Sequence, residues 1–163
     1  MYTKDLIEKI ESVTDVDQTS IKLYKLGKIS RLELEKISKK HCLLLKELIS
    51  AHGFPFKDTT SEKAYLSAFL ITQHSNDMEL MENVVDIFST AKGFQINKAH
   101  TAYLVDRIRL NKGLLQLYGT QFIRQKNGTL EFHTIEDEEN VDKRRKEMGM
   151  SSLEEYRKLA SQG

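Results

Sequence analysis

The chain has 163 residues, 39% of them hydrophobic and 30% charged, which suits one domain able to bury a core without disulfide or metal staples. One proline and eight glycines leave little material for long disordered stretches, and 25 basic against 24 acidic residues, a net charge of +1, argue against a duplex nucleic-acid binder. A lone cysteine, Cys42, has no internal disulfide partner, which fits a reducing, cytoplasmic compartment.

Met1 to Asp5 lead into alternating charges and not an apolar run, so no signal peptide is expected. Leu6, Ile10 and Val13 recur at helical spacing. The pattern either resumes through Ile21 and Tyr24 to Gly27 or breaks at Thr14. Ser30-Arg31-Leu32-Glu33 is a capping-box pattern opening the clearest helix, with Leu34, Ile37, His41, Leu44, Leu45 and Leu48 on one face and Gly53 as its stop. Phe54-Pro55-Phe56 is a turn with aromatic anchors. Thr59 to Glu62 cap a helix that is apolar nearly all round from Ala64 to Ile71, hence central to the fold and far short of the roughly 20 residues that span a bilayer.

Asp77 caps the next helix, through Phe88 to Gly93, and Asn97 caps another, through Leu110 to Gly113. The period then changes. Thr120 to Arg124 and Thr129 to Ile135 read as strands, and Asn127-Gly128 between them as a hairpin turn. Glu136 to Glu139 precede Lys143 to Lys146, the charge order a helix dipole favours, and the bases read as a solvated helix face. Ser151-Ser152-Leu153-Glu154 caps a closing helix. The expected fold is mainly α: a single domain over 1–163, an antiparallel bundle of about five to seven helices up to about 112, a β-hairpin at about 120–135, and C-terminal helices at about 138–161.

Several polar residues break this pattern. On a wheel of the Asn97 helix, Asp106 falls among Ala99, Ala102, Tyr103 and Leu110, with Arg107 at the edge. A carboxylate there needs a partner, either a structural arginine or a pocket. His74 ends the central helix, where a hydrogen-bonded capping histidine and an acid/base group are both readings. Asp17 is buried beside Val13 and Ile21 if the first helix continues, and is a surface cap if it does not. Tyr118-Gly119-Thr120-Gln121 leads into the hairpin with a glycine that permits close backbone approach. The five histidines lack helical zinc spacing, so no metal site is expected. His41 reads as a core histidine and forms no dyad with adjacent Cys42.

These positions carry a resemblance. Asp17-Gln18, His52-Gly53-Phe54-Pro55, Gln73-His74, Leu104-Val105-Asp106-Arg107, Tyr118-Gly119-Thr120-Gln121 and the acidic segment from Ile135 through Arg145 to Gly149 occur in that order. The ordered set resembles a bacterial domain-of-unknown-function family. The chain departs from it with Phe54 where tryptophan is common, and with Ser75-Asn76-Asp77 where a small residue and an acid follow the histidine. The resemblance implies a shared site but no reaction and no cofactor.

Three functions fit. The first is a pocket for a small anionic or polar ligand where the central helices meet the hairpin. His74, Asp106, Arg107, Tyr118 and Gln121 would line it, with Gln73 and Asp17 as further members; Arg107 would grip an anionic or carbonyl group. The second is an enzyme using His74 as general acid/base with Asp106 orienting it. The third is an immunity or inhibitor-type module that binds a protein partner. Neither nucleic acid nor membrane is an expected partner.

Overall fold

In the computed structural model, which describes residues 1–125 and 129–160, the chain is mainly α-helical. Its helices are α1 (Lys4–Lys25), α2 (Arg31–His52), α3 (Glu62–His74), α4 (Met78–Thr90), α5 (Lys98–Asn111), α6 (Val141–Glu147) and α7 (Leu153–Ala160). Strands β1 (Phe122–Arg124) and β2 (Leu130–Phe132) lie between α5 and α6. This is the helical bundle with one late hairpin expected from the periodicity. The chain divides into two compact units, Met1–Ile96 and Asn97–Gly163, a finer division than the one domain expected from length. Among the described residues, no helix is long and apolar enough to cross a membrane.

In the first unit, local capping chemistry sets the helix starts. Thr3 accepts from the Leu6 amide, and Ser30 and Glu33 cap α2 reciprocally. Ser61 and Asp77 accept from the amides of Ala64 and Leu80 at the starts of α3 and α4. Thr14 does not break α1; the helix runs through it and ends before Gly27, whose φ of 66° is left-handed. Asp17 therefore lies on the buried face with Ile10, Val13 and Ser20. Helix α3, apolar nearly all round, packs against α1, α2 and α4 and is central to this unit. Phe54 packs edge-on against Phe88, ring centroids 5.0 Å apart, and against Tyr65 at 6.2 Å. The Tyr2 hydroxyl donates to the Gly53 carbonyl at 2.7 Å, and burial pushes that phenol up to about 12.

In the second unit, Asn97 caps α5 by accepting from the Ala99 amide. β1 and β2 are antiparallel, with Phe122 opposite Phe132 and Ile123 opposite Glu131. The Asn127-Gly128 turn lies outside the described residues. Both strands are shorter than the β-branched runs suggested, because the flanking backbone is used elsewhere. The Gln116 amide donates to Thr134 and the Glu136 amide to Gln116, while the Thr120 amide turns to a side chain. Phe122 stacks on Phe132 at 4.3 Å, and Tyr156 of α7 completes the aromatic layer. Ile135, Val141 and Leu153 form a small core beside it.

Arg144 and Arg145 contradict the reading of Lys143 to Lys146 as a solvated face. Arg145 is 1% exposed; it donates to the carbonyls of Ser151 at 2.7 Å and Tyr118 at 2.6 Å, and its guanidinium lies over the Tyr156 ring. Arg144 donates to the carbonyls of Leu117, Glu136 and Asp137. Two arginine forks thus tie α6 to the irregular segment before the hairpin, a task for which planar multi-donor groups are suited.

Candidate functional site

The continuation of α1 past Thr14 places Asp17 in the interior of the first unit at 3% exposure. An isolated carboxylate at that depth would be neutralised or expelled. His74, the last residue of α3, supplies a partner: its Nδ1 lies 2.9 Å from Asp17 Oδ2. His41 of α2, 7% exposed, approaches the other oxygen, with Nδ1 at 4.0 Å from Oδ1, a charge-range contact too long for a hydrogen bond. Burial alone would raise the Asp17 pKa. The two imidazoles outweigh that effect and bring it down to about 2.

An ionised carboxylate only accepts hydrogen bonds, so Nδ1 of His74 carries the hydrogen of this contact. In the neutral ring Nε2 is then the acceptor, and no protein group bonds to it among the described residues. The side chain is 29% exposed and lines a cleft of about 490 Å³ between α2 and the α3–α4 turn. Leu34, Cys42 and Leu43 give this cleft an apolar side, and Ser38, Asn76 and Asp77 a polar one. Its volume falls in the range of small-molecule pockets, about 300–1,000 Å³.

Two other cleft groups have structural tasks. Asp77 caps α4 and takes Lys46 Nζ at 2.8 Å; burial would raise its pKa, but Lys46, the Leu80 amide and the Cys42 thiol together outweigh that and hold it low. The Cys42 thiol lies 3.5 Å from Asp77 Oδ2, and burial with that neighbouring carboxylate pushes it up to about 11. A thiol so protonated is a poor nucleophile at neutral pH.

Asp106 has a different role from either sequence reading. It is fully buried, and among the described residues no arginine pairs with it. Its carboxylate accepts from the backbone amides of Leu117 at 2.7 Å, Tyr118 at 3.0 Å and Thr120 at 3.0 Å, and from the Thr120 hydroxyl at 2.9 Å. Gly119 sits inside this cradle at φ +66°, where an added Cβ would meet Leu153 Cδ1 at 2.6 Å and Ile135 Cδ1 at 2.9 Å. Close backbone approach is therefore what the glycine provides.

Of the seven residues singled out in the sequence, Asp17, Gln73 and His74 belong to the first unit and Asp106, Arg107, Tyr118 and Gln121 to the second. Asp17 and His74 meet. Gln73, partly buried, directly precedes His74 in sequence. The carboxylate orienting His74 is thus Asp17, in place of the Asp106 assumed for an acid/base pair. In the second unit four residues form one hydrogen-bonded chain. Asp106 holds Thr120, the Thr120 hydroxyl accepts from Gln121 Nε2 at 3.0 Å, and Gln121 Oε1 accepts from Arg107 at 3.2 Å. Tyr118 joins through its backbone, and its phenol is shifted up by burial and by nearby Asp106. Arg107 is depressed by burial, its Nε is buried without a partner, and it makes no ion pair among the described residues. His41 and Asp17 are what sequence reading underweighted. The buried positions of both, on faces that meet α3, were the signal.

The model of a family of unknown function (DUF6624) matches residues 31–163. His41 and His74 fall inside the matched range, and α1 with Asp17 precedes it. No curated protein and no solved structure matches the chain.

Proposed function

Because the chain belongs to this family of unknown function, we propose its role from its geometry: the first unit binds a small polar ligand in the α2/α3–α4 cleft, with His74 as the acceptor that recognises it. The observation that carries this reading is the Asp17–His74 contact at 2.9 Å beside a cleft, with the second ring nitrogen left unbonded. Asp17 fixes the ring's orientation and tautomer and stabilises the imidazolium that forms if Nε2 takes a proton. The same arrangement supplies a general base, so the site can abstract a proton from a bound hydroxyl, amide or water.

A thermal-shift screen of carboxylic acids, amides, sugars and nucleotides tests it, since a ligand bound only by the folded state raises apparent stability. At least one compound should stabilise the wild type, and His74→Gln should weaken that compound by about tenfold, the worth of one hydrogen bond at roughly 1.4 kcal/mol. Glutamine keeps an N–H donor for the buried Asp17 carboxylate, and the melting point of the unliganded variant separates any loss of stability from loss of binding. A screen in which no compound distinguishes wild type from His74→Gln contradicts the reading.

A second reading rests on Arg107, a half-buried cation without a carboxylate among the described residues, held by Gln121. Such a group suits an anionic or carbonyl ligand. A hit abolished by Arg107→Gln but not by His74→Gln would favour it over the first.

A further inference from the structure

A second cleft, of about 730 Å³, runs between α1 and α2 on the far side of Lys39 and Leu43, which line both clefts. Lys9 of α1 and Lys36, Lys39 and Lys40 of α2 line it, against the single carboxylate of Glu47. None of the four lysines has an ion-pair partner among the described residues. Lys36 and Lys40 are one helical turn apart, as are Lys36 and Lys39, and like charges at that spacing repel by a few tenths of a kcal/mol per pair. Glu33, one turn before Lys36, attracts it from outside the cleft, yet within the lining four ammonium groups face one carboxylate, and this excess is the first sign of an anion.

The floor is the second sign. Val13, Val16, Leu43 and Leu44 line the same cleft, with Val16 49% and Leu43 52% exposed. Phosphate alone would gain nothing from that surface, and a neutral apolar molecule would gain nothing from the lysines. We infer that this groove binds an anionic amphiphile as a free monomer: a phosphate or carboxylate head held by the lysines of α2 and an apolar body laid over the valine and leucine floor. The assignment stands independently of the His74 cleft. Exposed apolar surface under a rim of one charge sign is the combination such a ligand complements on both counts.

Calorimetric titration with octyl phosphate below its micelle concentration tests the inference, with octyl glucoside and inorganic phosphate as comparisons. Octyl phosphate should bind one to one, and both comparison compounds at least about tenfold more weakly. Lys36→Glu/Lys40→Glu should abolish binding, and Lys36→Ala/Lys40→Ala should weaken it by about tenfold while removing only exposed charge. His74→Gln should leave it unchanged. Equal binding of octyl glucoside shows an apolar surface only, and equal binding of inorganic phosphate a charge patch only; either overturns the inference. So does lysine-dependent co-sedimentation with phosphatidylglycerol vesicles without monomer binding, which marks a lipid surface, and so does loss of binding in His74→Gln, which moves the ligand to the neighbouring cleft.

Discussion

Asp106→Ala should cost about 3–5 kcal/mol of stability, or prevent the second unit from folding, because several buried donors lose their acceptor at once. Leu117, Tyr118 and Thr120 direct their amides at this carboxylate, and the Thr120 hydroxyl adds a fourth donor. A buried donor left unsatisfied costs about 1–3 kcal/mol, and the three amides cannot turn to water without dismantling the segment before the hairpin. Arg144 and Arg145 hold the carbonyl side of the same segment at Leu117 and Tyr118, so both polarities of this backbone are met by side chains. Asp106→Asn keeps the volume and one acceptor oxygen, and should cost less. Urea denaturation with amide exchange at Leu117, Tyr118 and Thr120 reads the effect. A loss under about 1 kcal/mol with those amides still protected would mean that they are satisfied by other groups.

Acid should remove a second contribution, at Asp17. Its folded pKa of about 2 lies below the ordinary aspartate value of 3.8 that applies to the unfolded chain. A carboxylate depressed in the folded state stabilises the protein above its unfolded pKa, and that contribution disappears as pH falls through the folded one. The window is therefore about pH 4 down to pH 2, and the amount is about 2 kcal/mol at roughly 1.4 kcal/mol per unit. At 3% exposure the group is little screened by solvent. Asp17→Asn should flatten this part of the stability profile and lower stability near neutral pH, since the amide keeps the shape but loses the charge facing two imidazoles. Denaturation midpoints of wild type and Asp17→Asn should converge toward pH 2. Profiles that stay parallel between pH 4 and pH 2 would remove Asp17 as the source.

Capping made much of the helical frame legible in the sequence. Ser30, Asp77 and Asn97 act on amides two or three residues away, so their signals are local, and each caps the helix it was expected to start. Asp106 was legible as an anomaly because a wheel needs only the helix it is drawn on. Its partners were not, since amides aimed at a side chain leave no mark on residue type beyond the glycine at 119. Arg144 and Arg145 were misread for the same reason: most of their acceptors are backbone carbonyls, two of them 27 residues away, and a run of bases beside acids looks like a solvated face. The Asp17–His74 pair spans 57 residues and depends on α1 passing through Thr14, a β-branched residue that lowers helix propensity only slightly. The sequence offered two continuations there, and the burial of Ile10, Val13 and Asp17 on one face decides between them.

The tautomer of His74 tests the central claim most directly. Long-range nitrogen–proton correlation spectra of the neutral ring distinguish the two ring nitrogens. Asp17 at 2.9 Å requires the hydrogen on Nδ1 and leaves Nε2 unprotonated in the neutral ring, a state that Asp17→Ala should randomise. A neutral His74 protonated at Nε2 in the wild type, unaffected by loss of Asp17, would contradict the account.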